Sequence, residues 1–253
     1  MVTKTLGLIG SGMIGGMLAR LAVAAGLDVV LSNSRAPETL ADLVAELGAQ
    51  ARAATPAEAA RSGDLVVATV PLHAYDRLPA AELTGKTVID TMNYYPERDG
   101  RIAELDTGEL TSSALVQRHL AESRVVKACN NIFFISLLAL ARPSGSRERS
   151  ALPIAGDHPD AKADVTALLD VLGYDTVDIG TLADSWRSQP GTPVYVTPYF
   201  PGPPPWGANQ EAFHRWFHET RGIPVDAGLV TELTAVAVRD HLGERLPDTS
   251  KYE

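Results

Sequence analysis

The sequence near the amino terminus reads Thr5-Leu6-Gly7-Leu8-Ile9-Gly10-Ser11-Gly12-Met13-Ile14-Gly15, an apolar run that enters a glycine-rich turn. The apolar residues that follow recur at helical intervals until Gly26, so the pattern predicts a strand, a tight turn and a helix. In such a turn Gly10 permits the bend, Gly12 lets a pyrophosphate approach, and Gly15 lets helix and strand pack closely. Because the first N–H groups of a helix favour an anion, the stretch from Gly10 to Gly15 predicts a dinucleotide-binding site.

Further apolar runs alternate with helical patterns along the chain. Such alternation predicts parallel strands joined by helices, and we expect about eight mostly parallel strands. The fold class is therefore α/β, a doubly wound Rossmann-type sheet with a small C-terminal helical region. Two helix starts are expected at Thr55-Pro56-Ala57-Glu58, a capping box, and at Asp157-His158-Pro159. The strands expected after the first are Asp28–Leu31, Asp64–Val70, Lys86–Asp90, Arg124–Ala128, Leu152–Ala155 and Tyr174–Ile179.

The end of the second strand reads Ser32-Asn33-Ser34-Arg35. A carboxylate at this position of a Rossmann fold would accept hydrogen bonds from a ribose 2′-hydroxyl and would repel a 2′-phosphate. None is present here, and hydroxyl, amide and guanidinium groups are the donors that a phosphate requires. The sequence therefore predicts NADP(H) rather than NAD, with Arg35 as the main charge partner and Ser34 or Asn33 as hydrogen-bond donors.

Two more segments end strands at the same predicted edge of the sheet, where a doubly wound fold places its ligand crevice. Val70-Pro71-Leu72-His73 should face the pyrophosphate and the nicotinamide ribose. His73 is either a general acid or, as is more usual for a histidine that opens a helix, a cap or surface residue. In Asp90-Thr91-Met92-Asn93, the side chain of Asn93 is expected on the nicotinamide side, and Asp90 is expected to satisfy turn amides.

Composition excludes several other classes of protein. The chain has 253 residues, a net charge of −9 and 45% hydrophobic residues. The negative charge argues against a nucleic acid partner, and no apolar run is long enough to cross a membrane. One cysteine, Cys129, and a start without room for a signal peptide favour a cytoplasmic location. No grouping of histidine, cysteine or acidic residues predicts a metal site or a catalytic triad.

The character of the sequence changes near Asp184, so we divide the chain into an NADP-binding domain, residues 1–182, and a C-terminal loop with helices, residues 183–253, that closes the substrate cleft. Tyr199–Trp206 is proline-rich and is either a lid or a static covering loop. Helices are expected at Asn209–Arg221 and Asp226–Leu242. In the first of these helices the aromatic residues form either a wall over a planar ligand or a stripe that faces the core or a dimer partner; they are Phe213, Trp216 and Phe217.

These motifs in this order resemble the coenzyme F420-dependent NADP oxidoreductase family over about residues 5 to 190. The motifs are the Gly10 to Gly15 turn, Ser32-Asn33-Ser34-Arg35, Thr69-Val70-Pro71, Ile89-Asp90-Thr91-Met92-Asn93 and Val126-Lys127-Ala128-Cys129-Asn130-Asn131-Ile132. The resemblance implies a homodimer in which hydride passes directly between NADP(H) and a deazaflavin, coenzyme F420. It implies that Asn130 and Ile132 line the hydride-transfer site and that Trp186–Pro193 lies near the deazaflavin.

Other interpretations stay open at this point. The same NADP(H) site would serve a reductase of a small carbonyl or imine, or a sensing module that binds NADP without catalysis. Cys129 either packs in the core or faces the cleft, and burial is the expected outcome. Lys127 is expected to be a structural or cofactor-orienting residue rather than a proton donor.

Overall fold

The computed structural model describes residues 4–202, 216, 220 and 222–239 of the chain. These residues form one eight-stranded sheet flanked by helices. The strands are β1 Thr5–Ile9, β2 Asp28–Ser32, β3 Ala51–Ala53, β4 Leu65–Ala68, β5 Thr87–Asp90, β6 Arg124–Lys127, β7 Ala151–Gly156 and β8 Asp175–Asp178. The helices are α1 Met13–Ala24, α2 Ala41–Leu47, α3 Pro56–Ser62, α4 Ala80–Leu83, α5 Pro96–Asp99, α6 Ala103–Asp106, α7 Ser112–His119, α8 Phe134–Ala139, α9 Pro159–Leu172 and α10 Ala227–Ala235. Short 3-10 helices span Pro37–Leu40, Gly48–Gln50, Leu72–Arg77, Leu182–Ser188 and Thr197–Tyr199.

The strand order is β3-β2-β1-β4-β5-β6-β7-β8, and β1 to β6 are parallel. The chain therefore reverses its direction of sheet growth between β1 and β4, which is the switch point where a doubly wound fold forms its ligand crevice. The expected Rossmann-type sheet is confirmed. β7 runs antiparallel to β6, and β8 pairs in parallel with β7, so the last two strands point away from the crevice edge.

The two faces of the sheet carry separate apolar clusters, because successive side chains of a strand point to opposite faces. Leu8, on β1, packs in the cluster that includes residues of α1 and α9. Its neighbour Ile9 packs in the cluster that includes residues of α4 and α7. Strands buried on both faces explain the continuous apolar runs of the sequence. Within the described part of the chain, no helix is both long and apolar enough to cross a membrane.

Local signals placed several elements correctly. Thr55 and Glu58 form the expected capping box of α3. α9 begins at Pro159 and ends at Leu172, as expected, but the Asp157 carboxylate accepts the N–H of Leu182 instead of capping the helix. β3 was not located by the sequence pattern, because it has three residues and only one pairing edge.

Two predicted boundaries were wrong by two or more residues, several others differ by one residue, and one predicted helix lies almost entirely outside the described residues. β4 ends at Ala68 rather than Val70, because Pro71 lacks the N–H that a strand needs. α10 ends at Ala235, and the described residues after it, 236–239, are not helical. The helix expected at Asn209–Arg221 falls on residues of which only Trp216 and Thr220 are described, so it stays a prediction.

Candidate functional site

The turn between β1 and α1 leaves no room for side chains where it contacts β4. Gly10 has φ +104°, and a Cβ on it would lie 2.2 Å from the Thr69 carbonyl oxygen. A Cβ on Gly15 would lie 2.2 Å from the Gly10 carbonyl oxygen, so helix and strand are packed as closely as the motif predicts. Gly12 differs, because a Cβ there would meet no atom within 4 Å. The open side of the turn is therefore at Gly12.

The start of α1 offers free hydrogen-bond donors on this open side. Gly12 is its N-cap residue, and no side chain caps the helix. The first N–H groups of a helix have no partner within the helix, so those of Met13 and Ile14 are available to an anion. Met13 is exposed and Ser11 is half-buried, with its hydroxyl donating to the Ser32 carbonyl at 2.9 Å. These residues fit a bound pyrophosphate.

Of the four residues from Ser32, the last residue of β2, to Arg35, two have side chains that stabilise the fold and two have exposed side chains. Ser32 is fully buried, and its hydroxyl donates to the Leu8 carbonyl at 2.9 Å, so this side chain stabilises the sheet rather than facing the crevice edge. Asn33 is half-buried and stabilises the turn, since its Oδ1 accepts the N–H of Arg35 and its Nδ2 donates to Thr39. The side chains of Ser34 and Arg35 are exposed and make no hydrogen bond or ion pair among the described residues. They are the donors that fit a 2′-phosphate.

The segment after β4 faces the same edge with its backbone. Thr69 donates its N–H to the Ile9 carbonyl, which ties this segment to the end of β1. Val70 is half-buried and Pro71 is exposed, whereas the Leu72 side chain is fully buried in the core beneath α7. Any contact of Leu72 with a ligand would therefore involve its backbone.

Asn93 and Asn130 pair with each other across the ends of β5 and β6. Nδ2 of Asn93 donates to the Asn130 carbonyl at 2.8 Å, and Nδ2 of Asn130 donates to Oδ1 of Asn93 at 3.1 Å. Asn130 also donates to the Ser188 carbonyl at 2.8 Å and accepts the Ser188 hydroxyl at 3.2 Å. The two asparagines thus anchor the C-terminal segment on the sheet edge. Ile132, the other residue expected to line the transfer site, is 3% exposed and packs in the core.

Replacing Asn130 by alanine is expected to lower the free energy of unfolding by about 1 to 3 kcal/mol, because the buried Ser188 carbonyl and the Asn93 amide would lose a partner. Urea denaturation of the ligand-free protein measures this change. Gln50→Ala is the control, since Gln50 is half-buried and donates one hydrogen bond, to the Leu27 carbonyl. Equal losses in the two variants would show that the Asn130 network adds nothing to stability.

A buried ion pair lies directly beneath this asparagine pair. Nζ of Lys127 is 3.3 Å from Oδ2 of Asp90 and also donates to the Met92 carbonyl, and both charged side chains are at most 1% exposed. Oδ1 of Asp90 accepts the N–H of Met92, and Oδ2 accepts the Ser113 hydroxyl. Burial lowers the pKa of Lys127, and the charge of Asp90 opposes that shift. The expectation that Asp90 satisfies a turn amide is confirmed, and Lys127 has the structural role expected.

Cys129 is 2% exposed and belongs to the apolar cluster on the α1 side of the sheet. Burial raises the pKa of its thiol to about 12. A thiol with so high a pKa is inert at neutral pH, so the expectation of a packed core residue is confirmed. Its φ of 56° turns the chain sharply after β6.

The C-terminal segment contains site neighbours that the sequence did not indicate. Asn131 donates to the Val194 carbonyl at 3.1 Å and to the Tyr199 hydroxyl at 3.0 Å. Tyr195 shares a hydrogen bond with Tyr95 across the end of β5. No sequence signal could have found these partners, because they are 63 to 100 residues apart in the chain.

Trp186 lies beside two guanidinium groups. The Arg187 guanidinium is 4.6 Å from the centre of its ring, and that of Arg239 is 5.9 Å away. Arg187 also donates to the Thr234 carbonyl, and Arg239 donates to the Leu110 carbonyl. The cluster therefore fastens the described C-terminal residues to the start of α7.

Comparisons with known proteins agree with this geometry. Residues 5–94, which include β1 to β5 and the glycine turn, match the family model described as NADP oxidoreductase, coenzyme F420-dependent. The protein YjhV of Escherichia coli K12 is 49% identical over 53 residues, which is 21% of this chain and 39% of that protein. The match therefore covers less than half of the length of that curated relative.

Two solved structures share the fold. SMa0349 of Sinorhizobium meliloti is 30% identical, with a TM-score of 0.66 over 77% of this chain and 93% of that one. A protein of Arthrobacter sp. FB24, provisionally described as an F420-dependent NADP reductase, is 23% identical, with a TM-score of 0.62 over 72% of this chain and 87% of that one. The family match covers the glycine turn and the ends of β1, β2, β4 and β5, and the alignment with SMa0349 covers 77% of this chain. Residues 5–94 of the chain therefore carry the domain of the coenzyme F420-dependent NADP oxidoreductase family.

Proposed function

We propose that this chain transfers a hydride between NADP(H) and a deazaflavin, coenzyme F420, bound at the carboxyl ends of β1, β4, β5 and β6. The nicotinamide ring supplies or accepts the hydride when the dinucleotide is bound. The observation that carries the proposal is that α1, which no side chain caps, lies at one edge of the sheet with Ser34 and Arg35, whose side chains have no partner among the described residues. The description of the Arthrobacter protein supports the deazaflavin as acceptor, and so does the family name.

The residues of the edge divide the task of binding. In this proposal the N–H groups at the start of α1 hold the pyrophosphate beside Gly12, and Arg35 with Ser34 holds the 2′-phosphate. The backbone of Val70, Pro71 and Leu72 borders the ribose. Asn93 and Asn130 are bonded to each other and Ile132 is buried, so in this proposal these three residues shape the far wall of the site and exclude water from it.

Most of the rate in such a reaction comes from holding two planar rings at a reactive distance. Asn93, Asn130 and Ser188 would therefore contribute by keeping the far wall of the site in place, so that the two rings stay aligned. We propose residues 1–182 as the NADP-binding domain and residues 183–253 as the part that closes the cleft. A homodimer, which the resemblance implies, stays a prediction that a mass measurement in solution tests.

The direct test mixes the purified protein with NADPH and oxidised F420 and follows the visible absorbance of the deazaflavin. We expect that absorbance to fall while NADPH is consumed in equal amount. Small carbonyls and imines serve as competing acceptors in the same assay. Turnover of one of these with no bleaching of F420 would overturn the deazaflavin assignment and keep the NADP(H) site.

Replacing Arg35 by alanine is expected to weaken NADPH binding about 10- to 100-fold, because a charged hydrogen bond to the 2′-phosphate is lost. NADH binding should not change, since NADH lacks that phosphate. Fluorescence titration of both nucleotides measures the two dissociation constants.

Arg147→Ala is the matched control for Arg35→Ala, since Arg147 is an exposed arginine on the loop before β7 and removing it changes the net charge equally. A similar loss of NADPH affinity in both variants would point to a general charge effect. Equal affinity of wild type for the two nucleotides would refute the assignment of Arg35 altogether.

A further inference from the structure

His73 and Asp99 form a histidine-carboxylate pair next to the predicted crevice. His73 opens the 3-10 helix that follows β4, and Asp99 ends α5, which follows β5. Nδ1 of His73 is 3.2 Å from Oδ1 of Asp99, and the same carboxylate oxygen accepts the backbone N–H of His73 at 3.3 Å. The imidazole is 45% exposed and the carboxylate is fully buried. The carboxylate of the pair is thus shielded from solvent, whereas the imidazole is accessible to a ligand.

Asp99 is held in place by three other donors. Nε and Nη2 of Arg98 each donate to it at 2.8 Å, and the N–H of Tyr95 donates at 2.9 Å. Burial alone would raise the pKa of Asp99, but the hydrogen bonds from Arg98 and Tyr95 outweigh it and hold the pKa below its usual range. Asp99 is therefore ionised at neutral pH and can only accept hydrogen bonds, so Nδ1 of His73 must carry a proton.

Nε2 is the free nitrogen of this imidazole, with no hydrogen-bond partner in the part of the chain that the structure describes. His73 lines a cavity of about 460 Å³, which lies between the 3-10 helix, α6 and α7. That volume is in the range of small-molecule sites. The other imidazole at the cavity, His119, is already bonded to the Leu78 carbonyl at 3.0 Å.

Arg98 links the pair of His73 and Asp99 to the crevice edge. Nη2 of Arg98 donates to the Asn93 carbonyl at 2.9 Å as well as to Asp99. The loop that carries the Asn93 and Asn130 pair is thus bonded to the loop that orients His73. Both loops leave the carboxyl ends of neighbouring parallel strands, β4 and β5.

We propose that His73 is a catalytic proton donor and acceptor for the molecule that exchanges hydride with NADP(H), and that this molecule enters the cavity at His73. Asp99 is the positioning residue that fixes the imidazole. The proposal rests on the proposed hydride transfer and adds to it the path of the proton and the place of the acceptor.

Reduction of a conjugated acceptor adds a hydride to carbon and a proton to the nitrogen or oxygen at the other end of the conjugated system. His73 gives its Nε2 proton to that heteroatom, and the electron pair of the N–H bond stays on the imidazole. A proton from water then restores the imidazolium, so NADPH, the acceptor and one proton are consumed in equal numbers. In the reverse direction the neutral imidazole removes the same proton.

The pH dependence follows from the charges around His73. Asp76 lies on its own 3-10 helix, Arg98 and Asp99 on α5, Glu104 on α6, and Arg118 and His119 on α7. Arg118 is paired with Glu104, and Arg98 with Asp99, so Asp76 is the acid of this set that forms no ion pair among the described residues. Because the protonated imidazole is the acid in this step, acceptor reduction should slow when rising pH removes that proton.

The activity test compares His73→Gln with wild type. We expect kcat for acceptor reduction to fall about 100- to 1,000-fold, which is the usual contribution of a positioned acid or base. The dissociation constant for NADPH should not change. The fall of kcat with rising pH should also disappear. His158→Gln is the matched control, since His158 is an exposed histidine that precedes α9.

A readout without turnover uses NMR of the imidazole nitrogens in the ligand-free protein. We expect neutral His73 to carry its proton on Nδ1, and we expect Asp99→Asn to reduce the share of that tautomer because it removes the carboxylate that accepts the Nδ1 proton. The signals of His158 should stay constant in that variant. A purely structural Asp99 would leave the tautomer of His73 unchanged.

The outcomes separate this inference from the proposed function. A wild-type protein that binds NADPH but turns over no acceptor contradicts the proposed hydride transfer, whatever His73 does. Wild-type turnover together with an undiminished kcat and an unchanged pH profile in His73→Gln overturns the role of His73 alone. If His73→Gln unfolds, Asp99→Asn decides through the tautomer of His73, and an unchanged tautomer in that variant also overturns the inference.

Discussion

Replacing Gly10 by alanine is expected to abolish NADPH binding and to destabilise the protein. The new Cβ would lie 2.2 Å from the carbonyl oxygen and 2.7 Å from the carbonyl carbon of Thr69, and these backbone atoms cannot move aside as a flexible side chain could. The φ of +104° adds strain of about 1 to 3 kcal/mol for a residue other than glycine. Fluorescence titration with NADPH and urea denaturation measure the two effects.

Substitutions at two other glycines separate the effect of the steric clash from the effect of backbone strain. Gly26 has φ +85° and no atom within 4 Å of a Cβ position, so Gly26→Ala should show the strain without the clash and keep NADPH binding. Gly12 also has open space around it and a φ of −77°, so Gly12→Ala should leave stability unchanged. It should nevertheless weaken NADPH binding, because its Cβ would occupy the side on which the pyrophosphate is proposed to lie. Unchanged affinity in Gly12→Ala would mean that no phosphate group binds there.

Asp90→Ala is expected to produce the largest loss of stability, about 3 to 5 kcal/mol, because it leaves the Lys127 ammonium buried without a counter-charge. It also removes the acceptor of the Met92 N–H and of the Ser113 hydroxyl. The double substitution Asp90→Leu with Lys127→Met should recover part of this loss, since no unpaired charge stays buried. A double-mutant cycle in urea gives the coupling energy.

The surface pair Arg124 and Asp160 is the control for this cycle. Its atoms are 2.6 Å apart, but the side chains are 34% and 64% exposed. Asp160→Ala should cost no more than about 1 kcal/mol, because solvent screens an exposed pair. A similar loss in the free energy of unfolding for Asp90→Ala and Asp160→Ala would show that the buried pair stabilises the protein no more than an exposed pair does.

Local sequence determined the elements of the binding half of the site. The spacing of Gly10, Gly12 and Gly15 needs only neighbouring residues to take effect, and the turn has the form the motif predicts. The absence of a carboxylate at the end of β2 is likewise visible in the four residues from Ser32 to Arg35, and Arg35 is exposed in the structure. Spacing and residue type are sufficient in such cases because the interacting groups are close in the chain.

The fate of individual side chains in that half was less predictable. Ser32 was expected to face the ligand, yet its hydroxyl donates to the Leu8 carbonyl of the neighbouring strand. The register between β1 and β2 decides this contact, since it places Ile9 opposite Ser32. A pattern of hydroxyl residues cannot reveal the register.

Only the tertiary structure decided which side chains meet in the part of the site that is proposed to hold the hydride acceptor. Asn130 meets Ser188 across 58 residues, and His73 meets Asp99 across 26, so neither pair forms a local pattern. Their contacts depend on the strand order and on the 3-10 helix Leu182–Ser188 after β8, which places Ser188 beside Asn130. The sequence by itself therefore determined the fold and the nucleotide-binding motif, because these depend on short-range spacing and on the burial of apolar strands. The pairing of distant polar groups depended on chain folding, because hydrogen bonds act only between atoms that the fold has already brought within about 3 Å.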